Sequence, residues 1–223
     1  MKNGKYCSSK KAMKPLAVLL AMILLVGCAV GGTLAWLTAQ TTEVKNTFTS
    51  AKLFDNPTDD FTLWEHQAED PDEDGKYTLN NTEVQANNYK ILPGVNIPKD
   101  PTVDIVNLQE NAYLYIKVNN ALATGLSCTI DPAHWTALDA TEYPNVYVYS
   151  GDKAANNVIA ASGTDKKTFT VNILDEKQVV VENTYNGTGE CTLSFNAYMV
   201  QATGNGANAA EAWENTYGAT TNP

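Results

Sequence analysis

"AYLYIKVNN", residues 112–120, decides the fold. Ala112, Leu114, Ile116 and Val118 fall on one side of an extended chain, and Tyr113, Tyr115 and Lys117 on the other. That period of two belongs to a half-buried antiparallel strand; a helix would space its apolar residues three and four apart. The pattern recurs in both directions. "FTLWEHQ" (61–67), "KYTLNNTEV" (76–84) and "PTVDIVN" (101–107) come before it. "NVYVYSG" (145–151), "KTFTVNIL" (167–174), "QVVVENTY" (178–185) and "CTLSFNAYMVQA" (191–202) come after. Gly, Pro, Asn and Asp lie between them as turn chemistry. The series predicts an all-β chain: a jelly-roll-like antiparallel β-sandwich with short helical insertions and a short C-terminal helix.

Two segments break the strand pattern. "DPAHWTAL" (131–138) has Asp131 where an N-cap would stand and Pro132 at the first helical position, so it predicts a short helical turn. "NAAEAWENTYG" (208–218) is better marked. Asn208 can cap, Glu211 follows three residues on, Ala209, Trp213 and Tyr217 share a face, and Gly218 can end the helix.

The N-terminus reads as an export signal. Lys2, Lys5, Lys10, Lys11 and Lys14 make a positive start, and residues 15–37 are uncharged and rich in Leu, Ala and Val. Thr33 and Ala35 supply the small side chains a signal peptidase reads, which places the cut after Ala35 and makes Trp36 the new N-terminus. Two other readings stay open. The apolar run is long enough to span a bilayer uncut. Leu25-Val26-Gly27-Cys28 also resembles a lipoprotein signal, with Cys28 as the lipidated residue, although apolar sequence continues beyond it. The expected organisation is residues 1–35 as signal peptide, 36–44 as a donor-type segment, and 45–223 as the β-sandwich.

Removing residues 1–35 takes away five lysines and no acid, leaving 10 Lys against 25 Asp+Glu and no Arg. Such a chain lacks the residue best suited to phosphate recognition and repels polyanions, which excludes nucleic acid and anionic lipid surfaces as partners. With 43% hydrophobic residues the chain has enough apolar sequence for a core, so wholesale disorder is excluded too.

Of the four cysteines only Cys128 and Cys191 lie beyond the signal. Each falls on the apolar face of its strand pattern, Cys128 with Leu126 and Ile130, Cys191 with Leu193 and Phe195. In an exported chain they predict one disulfide, worth about 4 kcal/mol on the chain-entropy model. Buried free thiols are the alternative.

"EDPDEDGKY" (69–77) places Asp70, Asp72, Asp74 and Gly75 as the opening of a calcium loop does. Asn81 stands where that loop requires a bidentate Glu, so weak calcium binding or a plain acidic turn is expected, and no other cofactor. His66 and His134 are the only histidines and form no paired metal motif. No nucleophile motif of the GxSxG kind appears, and no enzymatic activity is expected.

"GGTLAWLTAQTTEVKNTFTSAKL" (31–53) resembles the signal-peptide junction of the TasA and camelysin (CalY) family, exported through the dedicated signal peptidase SipW. Gly31, Gly32, Thr33, Ala35 and Trp36, followed by "NTFTSAKL" (46–53), carry the likeness. "YKILPGVNIPKDPTVDI" (89–105) and "FNAYMVQATGNGANAAEAWEN" (195–215) resemble that family more loosely. The resemblance implies a jelly-roll subunit secreted by a Gram-positive bacterium to the cell surface or biofilm matrix, where relatives form fibres. It lacks the paired histidines that a metallopeptidase would need.

The expected partners are other copies of the chain or related matrix subunits, with the signal peptidase during export and the membrane only through the signal or a lipid. Freed at Trp36, residues 36–44 are β-compatible and carry no Pro or Gly. Trp36, Leu37, Thr38 and Val44 are therefore expected in a donor strand that adds to a neighbouring sandwich, with Trp36 and Leu37 as anchors. The alternative is a loose tail or an intramolecular edge strand. A different class of function, a membrane-tethered surface lipoprotein or binding module using the acidic loop, is kept as the second reading.

Overall fold

The computed structural model describes residues 52–70, 72–162 and 168–218. Residues 112–121 form the centre of the larger sheet. Ala112–Ala121 (β5) pairs along its whole length with Thr192–Gln201 (β13), Ala112 opposite Gln201 and Ala121 opposite Thr192. Its other side takes Tyr143–Tyr149 (β8) at Tyr115 to Lys117 and Val158–Ile159 (β10) at Ala112 and Tyr113. Trp135–Asp139 (β7) extends the sheet beyond β8, and Ala154–Ala155 (β9) beyond β10.

A four-stranded sheet comprises Phe61–Glu69 (β1), Thr78–Val84 (β2), Thr102–Val106 (β4) and Thr168–Asn172 (β11), in the order β11-β4-β1-β2. Ile97–Pro98 (β3), Gln178–Val181 (β12) and Leu126–Ser127 (β6) form a small third sheet, ordered β3-β12-β6. Every one of these pairings is antiparallel. The fold is thus the antiparallel β architecture that the strand pattern predicts, with one sheet curled as a half-barrel.

The main core gathers alternate residues of both larger sheets. Val103 and Ile105 of β4 meet Leu114 and Ile116 of β5, with Trp135 and Val171 closing the cluster. Burying each such aliphatic side chain contributes about 1.5–3 kcal/mol before conformational entropy is set against it.

The expectation of a half-buried β5 is corrected by the helix. Tyr113 and Tyr115, read as the outer face, are 5% and 0% exposed. Ala209–Tyr217 packs Ala209, Ala212 and Trp213 against them, and the Tyr115 hydroxyl donates to the Ala209 carbonyl at 2.8 Å. The helix starts as expected: Asn208 Oδ1 accepts the Glu211 N–H at 3.0 Å. Glu211 answers by accepting the Ala207 N–H at 2.8 Å.

The second expected helix is half right. Residues 132–134 turn, with the Asp131 carbonyl accepting N–H groups from His134 and Trp135. At Trp135 the chain leaves the turn and becomes β7. A short helical turn satisfies few backbone groups on its own, whereas β8 offers a ladder and Tyr149 an edge-on ring for Trp135, centroids 5.7 Å apart.

Candidate functional site

The acidic loop between β1 and β2 spends its carboxylates on itself. Asp70 Oδ1 accepts the Asp74 N–H at 3.1 Å and Oδ2 the Gly75 N–H at 2.8 Å. Asp74 accepts the Lys76 N–H at 2.9 Å and its ammonium at 3.0 Å, and these bonds hold its carboxyl below the usual range. Gly75 sits at φ +78° with Leu92 against its Cα, so a side chain there would be strained and would clash. Asp72 is exposed, and Asn81 lies in β2. Among the described residues no group of three or more His, Cys, Asp or Glu side chains is gathered as a metal cage. The arrangement is a self-capped turn.

Cys128 and Cys191 carry free thiols, so the expected disulfide is not formed in the structure. The facing inferred for them is nonetheless present. Leu126 and Cys128 are sheltered while Ser127 is exposed, and Cys191 and Leu193 are half-buried while Thr192 is exposed. Both cysteines pack against one cluster built on Ile97, Leu126, Val179, Val181 and Tyr185. Burial pushes the Cys128 thiol up, against the opposing charge of Lys99.

Beside this cluster lies a polar pair of pairs that has no local signal in the sequence, its partners standing 34 residues apart. Lys99 Nζ is 2.7 Å from Glu65 Oε2, and His66 Nδ1 is 2.6 Å from Asp100 Oδ2. Consecutive residues of β1 thus meet consecutive residues after β3. The His66 N–H also donates to Asp100 Oδ1 at 3.0 Å, and Asn87 bridges the Ala68 N–H and the His66 carbonyl. Burial and then the Glu65 and Asp100 charges push the Tyr89 hydroxyl far up. A groove of about 660 Å³ runs past Tyr89, Lys99, Tyr185 and Cys191. The His66–Asp100 contact fixes the ring, which also meets Trp64 edge-on with centroids 4.9 Å apart. Together with the Glu65–Lys99 pair, it ties β1 to the segment entering β4.

At the sheet margin, β13 is hydrogen-bonded on one side alone among the described residues, to β5. Its outward Thr192, Ser194 and Asn196 are exposed, and its inward Leu193, Phe195 and Ala197 are only half-buried although they reach the main core. Among the described residues Val180 is the one exposed large hydrophobic side chain. Cys28, Thr33, Ala35, Trp36, Leu37, Thr38 and Val44 lie outside the described residues. Comparison with protein-family models, with curated proteins and with solved structures finds no match for the chain.

Proposed function

We propose that the chain is a secreted structural protein of the cell surface or extracellular matrix, assembling into fibres by donor-strand exchange. The observation that carries this reading is β13, a ten-residue strand paired along one side only among the described residues, with half-covered apolar side chains facing inward. Main-chain N–H and C=O groups along such an edge form a template for an incoming strand. Residues 36–44 have the composition to supply it, and the resemblance of the 31–53 junction to the TasA and camelysin family supports the same reading.

Addition of one copy's N-terminal segment to the next copy's edge is a heterologous contact that does not close, so it propagates. The function needs shape, export and self-recognition, and no catalysis. Protein beginning at Trp36 should form filaments visible by electron microscopy, and protein beginning at Lys45 should remain folded and monomeric. Equal filament formation by both would remove residues 36–44 from the role. Intact mass of the native protein decides the tether: a diacylated chain beginning at Cys28 would replace the fibre reading by that of a lipid-anchored surface protein.

A further inference from the structure

A cavity of about 740 Å³ opens into the main core, within the size range of small-molecule sites. Its depth is apolar, walled by Ile105, Leu108, Ile159, Phe169 and Val171. Its mouth is polar and built. Asp131 Oδ2 holds His134 Nδ1 at 2.6 Å, and the His134 ring lies stacked on Tyr149, the planes 13° apart. The Tyr149 hydroxyl reaches Asp152 Oδ1 at 3.3 Å, and Lys153 Nζ lies 2.7 Å from Asp152 Oδ2. Gly151 makes the cluster possible: a Cβ there would stand 2.8 Å from His134 Cδ2 and against the Tyr149 hydroxyl.

The mouth offers an acceptor in the Asp152 carboxylate, which lies among the residues lining the cavity. The Lys153–Asp152 pair is solvated, its side chains 62% and 70% exposed, so it contributes little and yields to a better-placed cation. The acidic chain also draws cations toward any such mouth.

We propose that this cavity binds a small molecule with an apolar body and a primary-amine head, the body between Phe169, Ile159 and Val171 and the ammonium at Asp152. This site is independent of fibre assembly. The test uses benzylamine, benzyl alcohol and benzoate as probes on the isolated full chain, followed by saturation-transfer NMR and calorimetry. Benzylamine should bind best, benzyl alcohol more weakly, and benzoate least. Asp152 is exposed, so Asp152→Asn should keep the fold while weakening benzylamine about tenfold and leaving benzyl alcohol within about twofold. Ala161→Trp, at the half-buried wall, should abolish binding of all three with an unchanged circular dichroism spectrum. Benzoate binding as tightly as benzylamine, unaltered benzylamine binding in Asp152→Asn, or no probe bound at millimolar concentration would each overturn the proposal.

Discussion

Lys99 Nζ lies 2.7 Å from Glu65 Oε2, with the two side chains only 12% and 7% exposed. Two charges taken out of water in this way depend on one another, because either alone keeps its desolvation cost without its partner. Glu65→Ala should therefore cost about 3–5 kcal/mol of unfolding free energy. The double variant Glu65→Met with Lys99→Met should recover most of that loss, since an apolar pair of similar volume carries no such cost. Urea denaturation of the three proteins checks both statements.

The C-terminal helix is expected to be the cover of β5. Trp213 is 2% exposed and touches Tyr115, Tyr198 and Tyr217 with ring centroids 4.8–5.3 Å apart. Trp213→Ala should cost about 3–5 kcal/mol through the cavity it leaves. Asn208→Ala, which removes only the N-cap, should cost about 1 kcal/mol. Denaturation midpoints at constant slope would establish this order; equal effects would mean that the helix contributes mainly its cap.

Acid should loosen the turn before β7. Burial raises the proton affinity of Asp131, but its bonds to the His134 ring and the Ala133 N–H outweigh that and hold its carboxyl below the usual range. A carboxyl whose folded pKa lies below its unfolded one stabilises at neutral pH, and the stabilisation is lost as the pH falls from about 4 through the lower folded value. Asp131→Asn should be less stable than the parent at pH 7, and the gap should close in acid. Thermal melts from pH 7 to pH 2 measure it; a gap that stays constant with pH would show the bond to be indifferent to charge.

Calcium should bind the acidic loop no more tightly than the millimolar range. Asp70 and Asp74 are engaged by N–H groups and Lys76, and the closing position holds Asn81, in β2, where a bidentate Glu is required. Titration calorimetry giving micromolar affinity, lost in Asp72→Ala, would refute this.

Cys128 and Cys191 should close a disulfide under mild oxidation, because both pack on the cluster around Val179 and Tyr185. Peptide mapping without reductant should find the crosslinked pair; persistent thiols that alkylate separately would show that the sulfurs cannot meet.

Some of this molecule was legible before any coordinates. The alternation of residues 112–118 and the strand segments around it are local properties, since a period of two follows from backbone geometry alone. The helix from Ala209 announced itself by Asn208 and Glu211, which act within one turn of each other. The loop from Asp70 to Gly75 was legible as a turn for the same reason. Other features had no local signal. Tyr113 and Tyr115 alternate as an outer face would, and only a helix about a hundred residues onward buries them. Trp135 follows a good helix start yet joins a strand, because β8 satisfies its backbone better than a lone turn can. Glu65 and His66 meet Lys99 and Asp100 across 34 positions of chain, and Tyr149 meets His134 over Gly151. Periodicity tells which face a residue takes; which residue stands opposite it is settled only when distant strands pack, and in this chain that packing made the ion pairs and the cavity mouth.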